Sequence, residues 1–207
     1  MFTHVGWVEC LKKASSYGDL GVVASLTALS IILHLFNIPF PPAQYLLFDF
    51  TGIPLAVAMF FNARATLLVG LPVFYIGLLL YRPQDPIGPF MKVVAEGVTI
   101  LPFYILYKKG WFKGRFKATV STSIVAASRT ITMLLLNIAI DPFYFMLFKW
   151  VDTYSQGLAL TLVALPYIGL FNVIVAIYVS WLALPVVREL AKIGVLIDGK
   201  SAHSEGP

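Results

Sequence analysis

Five side chains stand where an apolar sequence has least use for them: Asp49, Glu96, Arg129, Asn137 and Asn172 lie within or beside long hydrophobic runs. A carboxylate accepts hydrogen bonds, a guanidinium donates them in a fixed fork, and an amide does both. Such a set reads a polar ligand, or it fastens helices to one another. Covalent catalysis is not offered. No Gly-x-Ser-x-Gly elbow is present, and two of the three histidines, His4 and His203, sit in terminal segments, so an intramembrane metalloprotease site is excluded. The single Cys10 rules out an internal disulfide framework and a cysteine-rich metal site. The chain is expected to be no enzyme and to need no cofactor or metal.

One motif misleads. Gly194-Val-Leu-Ile-Asp-Gly199-Lys200-Ser201 fits the phosphate-binding P-loop pattern letter for letter. That loop works between a strand and a helix, where amides and a helix N-terminus cradle phosphate. Here it follows the last apolar run, and only six residues come after Ser201. It is a chance match, so any ATP-derived energy must come from another subunit.

The elements that position the polar set are membrane spans. Of the 207 residues, 59% are hydrophobic and 12% charged, about half the charge of an ordinary soluble domain. No charged residue occurs from Ala65 to Tyr81 or from Thr153 to Val187. A helix needs about 20 mainly apolar residues to cross the hydrocarbon core. Six spans are predicted: Gly21–Phe36, closed by Pro39, Pro41 and Pro42; Gly52–Phe61; Ala65–Tyr81 after a turn at Asn62-Ala63-Arg64; Phe90–Tyr107; Ala118–Ile140, closed by Asp141-Pro142; and Leu162–Val187. A connecting segment through Phe50 follows the first span, and a loop of about twenty residues precedes the sixth. No cleavable signal peptide is expected.

Six spans put both termini on one side. That side holds Lys12, Lys13, Arg64, Lys108, Lys109, Lys113, Arg115, Lys117, Arg188, Lys192 and Lys200, and the other only Arg82, Lys92 and Lys149. Eleven cations against three place the termini in the cytoplasm of a plasma-membrane protein. The basic run from Lys108 to Lys117 then faces anionic lipid, and the net charge of +5 needs no nucleic-acid partner. Trp7 with Lys12-Lys13 suits a helix lying on that surface.

At ~1.5 Å rise per residue, Asn137 lies roughly 6 Å and Asn172 roughly 9 Å below the outer surface, and Glu96 roughly 18 Å above the inner one. Asp49 closes the outer connection, and Arg129 sits near mid-membrane. Two readings stand: interhelical hydrogen bonding, or a cavity open to the outside. The aromatics Tyr45, Phe48, Phe143, Tyr144, Tyr167 and Phe171 fall at the same level. They either clamp a flat ligand or form an interfacial belt. In the first span, Ala24-Ser-Leu-Thr-Ala28 places small residues one turn apart for close helix contact.

Tyr45-Leu-Leu-Phe-Asp49-Phe-Thr-Gly-Ile53-Pro54, Glu96-Gly97, Ser128-Arg129-Thr-Ile-Thr-Met133-Leu-Leu-Leu-Asn137 with Pro142-x-Tyr144, and Pro166 through Phe171-Asn172 occur in that order. Together they resemble riboflavin-type S components, the substrate-binding membrane subunits of energy-coupling-factor (ECF) vitamin transporters. The likeness runs from about Ala24 to Val187. It implies an all-α bundle of six transmembrane helices (residues 21–190) between an N-terminal cytoplasmic or interfacial segment (1–20) and a cytoplasmic tail (191–207). It further implies an outward-facing site for riboflavin or a related vitamin, capped by the loop after the first helix. Asn137 and Asn172 are expected to touch the ligand, with Tyr45, Phe48, Glu96, Arg129 and Phe171 around it and Asp49 ordering the cap. The implied partners are a membrane coupling protein of the EcfT type, contacted through Ala24 and Ala28, and two ATPase subunits. Two positions depart from the riboflavin pattern: Val175 stands where a Lys is frequent, and Gly52 where a polar residue is usual. Another vitamin or flavin relative, and a non-transport structural or assembly subunit, are the competing expectations.

Overall fold

The computed structural model describes residues 4–196, with side chains from Gly18 onward apart from Gln44. The side chains of Trp7, Cys10 and Lys12-Lys13, and the Gly194–Ser201 octet past residue 196 with the rest of the tail, lie outside this range. Helix α1 (His4–Leu33) leads into an antiparallel hairpin, β1 (Ile38–Phe40) and β2 (Ala43–Phe48). Helix α2 (Gly52–Ala65), a π-helical turn (Thr66–Gly70) and α3 (Leu71–Tyr81) form one 30-residue run. Three long helices follow: α4 (Ile87–Lys108), α5 (Arg115–Leu147) and α6 (Tyr154–Lys192).

By length and composition, four helical runs are able to cross a membrane: Gly52–Tyr81, Ile87–Lys108, Arg115–Leu147 and Tyr154–Lys192; Gly18–Leu33 is a fifth, shorter apolar stretch. Large apolar side chains point outward all round, among them Leu68, Leu80, Leu135, Val163 and Trp181, as lipid rather than water requires. The chain is a mostly helical membrane protein. Length and composition give four or five crossing helices, and the second and third of the six spans expected from the sequence join in one run. That run is interrupted at Asn62, whose backbone is extended (φ −153°, ψ 96°). Its side-chain oxygen accepts from the Ala65 amide at 3.0 Å, the bond of an N-cap that starts a new helix.

Other boundaries differ for local reasons. The segment after the first span is not featureless: Ile38 pairs with Phe48 and Pro39 with Leu47, with an irregularity before Phe40. Prolines suit such a short, two-stranded edge because it needs few of their missing donors. Pro142 does not close the fifth helix, which continues to Leu147; neighbouring helices in a membrane bundle tolerate such a break in the ladder. The sixth helix starts at Tyr154, eight residues before its predicted start, because Thr153 and Gln156 form a reciprocal capping box. Helix α1 already runs from His4, so no element boundary falls at residue 20.

The most extensive interhelical contact joins α5 to α6. Gly157 permits it: a side chain there would meet the Pro142 carbonyl oxygen at 2.8 Å. At the end of the bundle away from the hairpin, Leu55, Met59, Phe74, Ile100, Phe103, Phe112, Val125 and Val187 form a dry core.

Candidate functional site

At the hairpin end the helices part around a cavity of about 380 Å³, within the range of roughly 300–1,000 Å³ usual for small-molecule sites. The hairpin is fastened over it by aromatic contacts. Phe48 lies 4.8 Å from Phe171 of α6 and 5.4 Å from Phe40, centroid to centroid, and Val175 and Val179 complete this cluster. The Tyr178 hydroxyl donates to the Asp49 backbone carbonyl. Asp49 thus closes the hairpin against α6 through its backbone while its side chain turns inward.

Around the Asp49 carboxylate three elements meet. Lys92 of α4 donates to both oxygens (2.9 and 2.8 Å), His34 Nδ1 lies 2.8 Å away, and the Thr51 hydroxyl donates at 2.7 Å. Burial works to raise this carboxyl. The Lys92 charge and the hydrogen bonds from His34, Lys92 and Thr51 outweigh it and hold the group well below the usual carboxylate range. One turn along α4, Glu96 is 1% exposed and lies 3.8 Å from Lys92 and 3.4 Å from Arg129 Nη1. Arg129 is 3% exposed; it donates through Nε to Asn172 Oδ1 at 3.0 Å and through Nη1 to the Thr99 hydroxyl at 2.9 Å and the Ala95 carbonyl at 3.2 Å. Two carboxylates and two cations thus neutralise one another, which a low-dielectric interior demands of buried charge.

Of the residues expected at the site, Tyr45, Asp49, Arg129, Asn137, Phe171 and Asn172 line the cavity. Glu96 and Phe48 do not. Glu96 stands behind Arg129 and against Gly52, where any side chain would run into its carboxylate, and Phe48 belongs to the aromatic cluster that seats the hairpin. The departure at Gly52 therefore has a steric reason. Among the remaining aromatics, Tyr144 lines the cavity whereas Phe143 and Tyr167 are exposed. Ala24 and Ala28 are exposed on α1, opposite buried Val23, Thr27 and Ser30.

Sequence reasoning missed Lys92, His34 and Asp141, all of which line the cavity. The Lys92–Glu96 spacing of four was the available signal, since residues so spaced share a helix face. Lys92 instead counts in the sequence only as one of three cations on the outer side. Asp141 carries the same signal, four residues after Asn137, but stands as the end of the expected fifth span; His34 carries none, because only the folding of the hairpin brings Asp49 to it.

No family model matches this chain. The riboflavin transporter FmnP of Bacillus subtilis (strain 168) is 32% identical over 133 residues, 60% of this chain and 67% of that protein. The solved structure of the S component of a bacterial ECF transporter aligns with a TM-score of 0.63 at 25% identity, covering 86% of this chain and 97% of that one. With this likeness in sequence and fold, the chain belongs to the S components of ECF transporters, membrane transport subunits that are not enzymes.

Proposed function

We propose that this S component binds riboflavin in the hairpin-capped cavity and hands it inward when an ATP-driven coupling module reorients the protein. The observation that carries the reading is the cavity wall itself. Asn137 and Asn172, amides that both donate and accept, share it with Tyr45, Tyr144, Phe171 and Trp150. Aromatic faces supply contact area for a flat ring, and amides read its heteroatom edge. The name of the Bacillus subtilis relative supports the same cargo. On this reading Arg129 orients Asn172, and Asp49 with Lys92 and His34 fixes the cap rather than touching the ligand.

The finer topology belongs to the same proposal. The chain crosses the membrane six times, with Asn62 as the joint between the second and third crossings, and both termini face the cytoplasm by the excess of cations there. An EcfT-type coupling protein docks on the exposed Ala24–Ala28 face, and two ATPase subunits complete the transporter. Ala24→Trp is expected to leave binding intact and abolish co-purification with the coupling protein; normal co-purification would remove this face from the interface.

Val175 supports one second reading. It lines the cavity and is buried where the riboflavin pattern frequently has a cation, which fits a cargo that asks less of that wall. The absorption spectrum of the detergent-purified protein, followed by riboflavin titration with tryptophan quenching, separates the two. Trp150 lines the cavity and serves as reporter. Flavin absorbance, or saturable quenching at submicromolar riboflavin (roughly 8 kcal/mol or more of binding), is expected. Binding of another vitamin in place of riboflavin would keep the role and change the cargo. A protein that binds none would sink the transport reading.

A further inference from the structure

On α5, Arg129, Met133, Asn137 and Asp141 follow at four-residue intervals, and all four line the cavity. Residues so spaced share one helix face, and ~1.5 Å rise per residue puts Asp141 roughly 18 Å from Arg129 along it. The face therefore runs from a guanidinium through an amide to a carboxylate. Asp141 is 8% exposed, and its Oδ2 is buried with no hydrogen-bond partner among the described residues. The other carboxylates of the wall are served: Asp49 by Lys92, His34 and Thr51, and Asp85 by the Gly88 amide at 2.9 Å and the Tyr144 hydroxyl at 3.3 Å.

A buried carboxylate oxygen without a donor is costly, and one facing a cavity is satisfied by what fills that cavity. That unpartnered oxygen is an acceptor, so an occupant that brings donors suits this end. Tyr45 reports the local field: burial first and the Asp141 charge second push its phenol up to about 12. Ring edges, with donors and acceptors side by side, suit Asn137 and Asn172; a run of hydroxyls suits Asp141.

We infer that Asp141 is a specificity-determining residue that accepts hydrogen bonds from hydroxyl groups on a chain carried by the cargo's ring. The assignment rests on the riboflavin reading above, since riboflavin joins a flat ring to a polyol chain. The test uses the full chain in detergent, titrated with riboflavin and with lumiflavin, which has the same ring with a methyl group in place of the polyol. Asp141→Asn is expected to weaken riboflavin roughly tenfold or more and to leave lumiflavin binding unchanged, with Asp141→Leu as a second variant and thermal melts verifying folding. Equal losses for both ligands would put Asp141 against the ring or in a structural role and overturn the assignment; unchanged riboflavin binding in a folded Asp141→Asn protein would overturn it as well. Wild-type protein that ignores riboflavin would remove the riboflavin reading itself and this assignment with it. A wild-type protein that binds beside an insensitive variant would remove the assignment alone.

Discussion

The two halves of α5 bury the same helical stripe against different surroundings. In the first half Val125 and Ala126 enter the dry core with Ile100, Phe103 and Phe112. In the second half the stripe becomes Arg129, Met133, Asn137 and Asp141, and it faces the cavity. One half is held by dispersion between close-fitting side chains, the other by a neutralised set of charges whose partners come from several helices. On the proposed reading, the hairpin end binds the cargo and the other end serves as its scaffold. Substitutions in the two should part stability from affinity.

The largest effect is expected from Arg129→Leu, which strands Glu96 in the interior beside a Lys92 that is already 2.8 Å from Asp49. Removing one partner of a buried pair costs about 3 kcal/mol or more, so the melting temperature in detergent should drop sharply and binding should fall with it. A melt like that of wild type would mean that the network is wet or loosely held, and the contrast between the halves would weaken.

Asp49→Asn sharpens the same contrast through pH. The folded Asp49 carboxyl titrates below its unfolded value. Its contribution is therefore complete above about pH 4 and is lost as pH falls through the lower folded value. Wild type should be clearly more stable than Asp49→Asn at about pH 6, and the gap should close in stronger acid. A gap independent of pH would assign the loss to packing.

Ile100→Val in the scaffold half is the smallest perturbation. It removes one methylene from a fully buried site and should cost about 1 kcal/mol without changing the affinity for riboflavin. A changed affinity would mean that the core and the cavity are not separable.

These contrasts also mark what was legible in the residues. Long apolar runs announce helices because the bilayer leaves the backbone no other partner, so α4 is legible to within three residues, whereas α5 runs seven residues past its expected end and α6 starts eight before its expected start. The hairpin was not legible: Ile38–Phe48 is short, proline-rich and defined by its docking on Phe171. Asn62 was correctly read as a turn, yet the helical run resumes at once, and the lengths give four or five crossing helices. Pro142 was read as a stop because proline breaks isolated helices, and that reading hid Asp141. Buried polar residues could be named from cost alone. Which of them face the cavity and which stand behind it depended on packing, as Glu96 behind Arg129 illustrates.

Asn172 is a less clean probe of the site than it looks in the sequence, because its side-chain oxygen is held by Arg129. Asn137 is cleaner: among the described residues its amide donates to the Met133 carbonyl one turn back in its own helix, so its loss leaves the contacts of the other elements in place. The decisive measurement is the equilibrium riboflavin affinity of purified Asn137→Leu, with its thermal melt recorded alongside. An affinity at least about tenfold weaker, equivalent to roughly 1.4 kcal/mol, is expected in a protein that melts like wild type. An unchanged affinity in that folded variant would contradict the placement of the cargo against the polar face of α5.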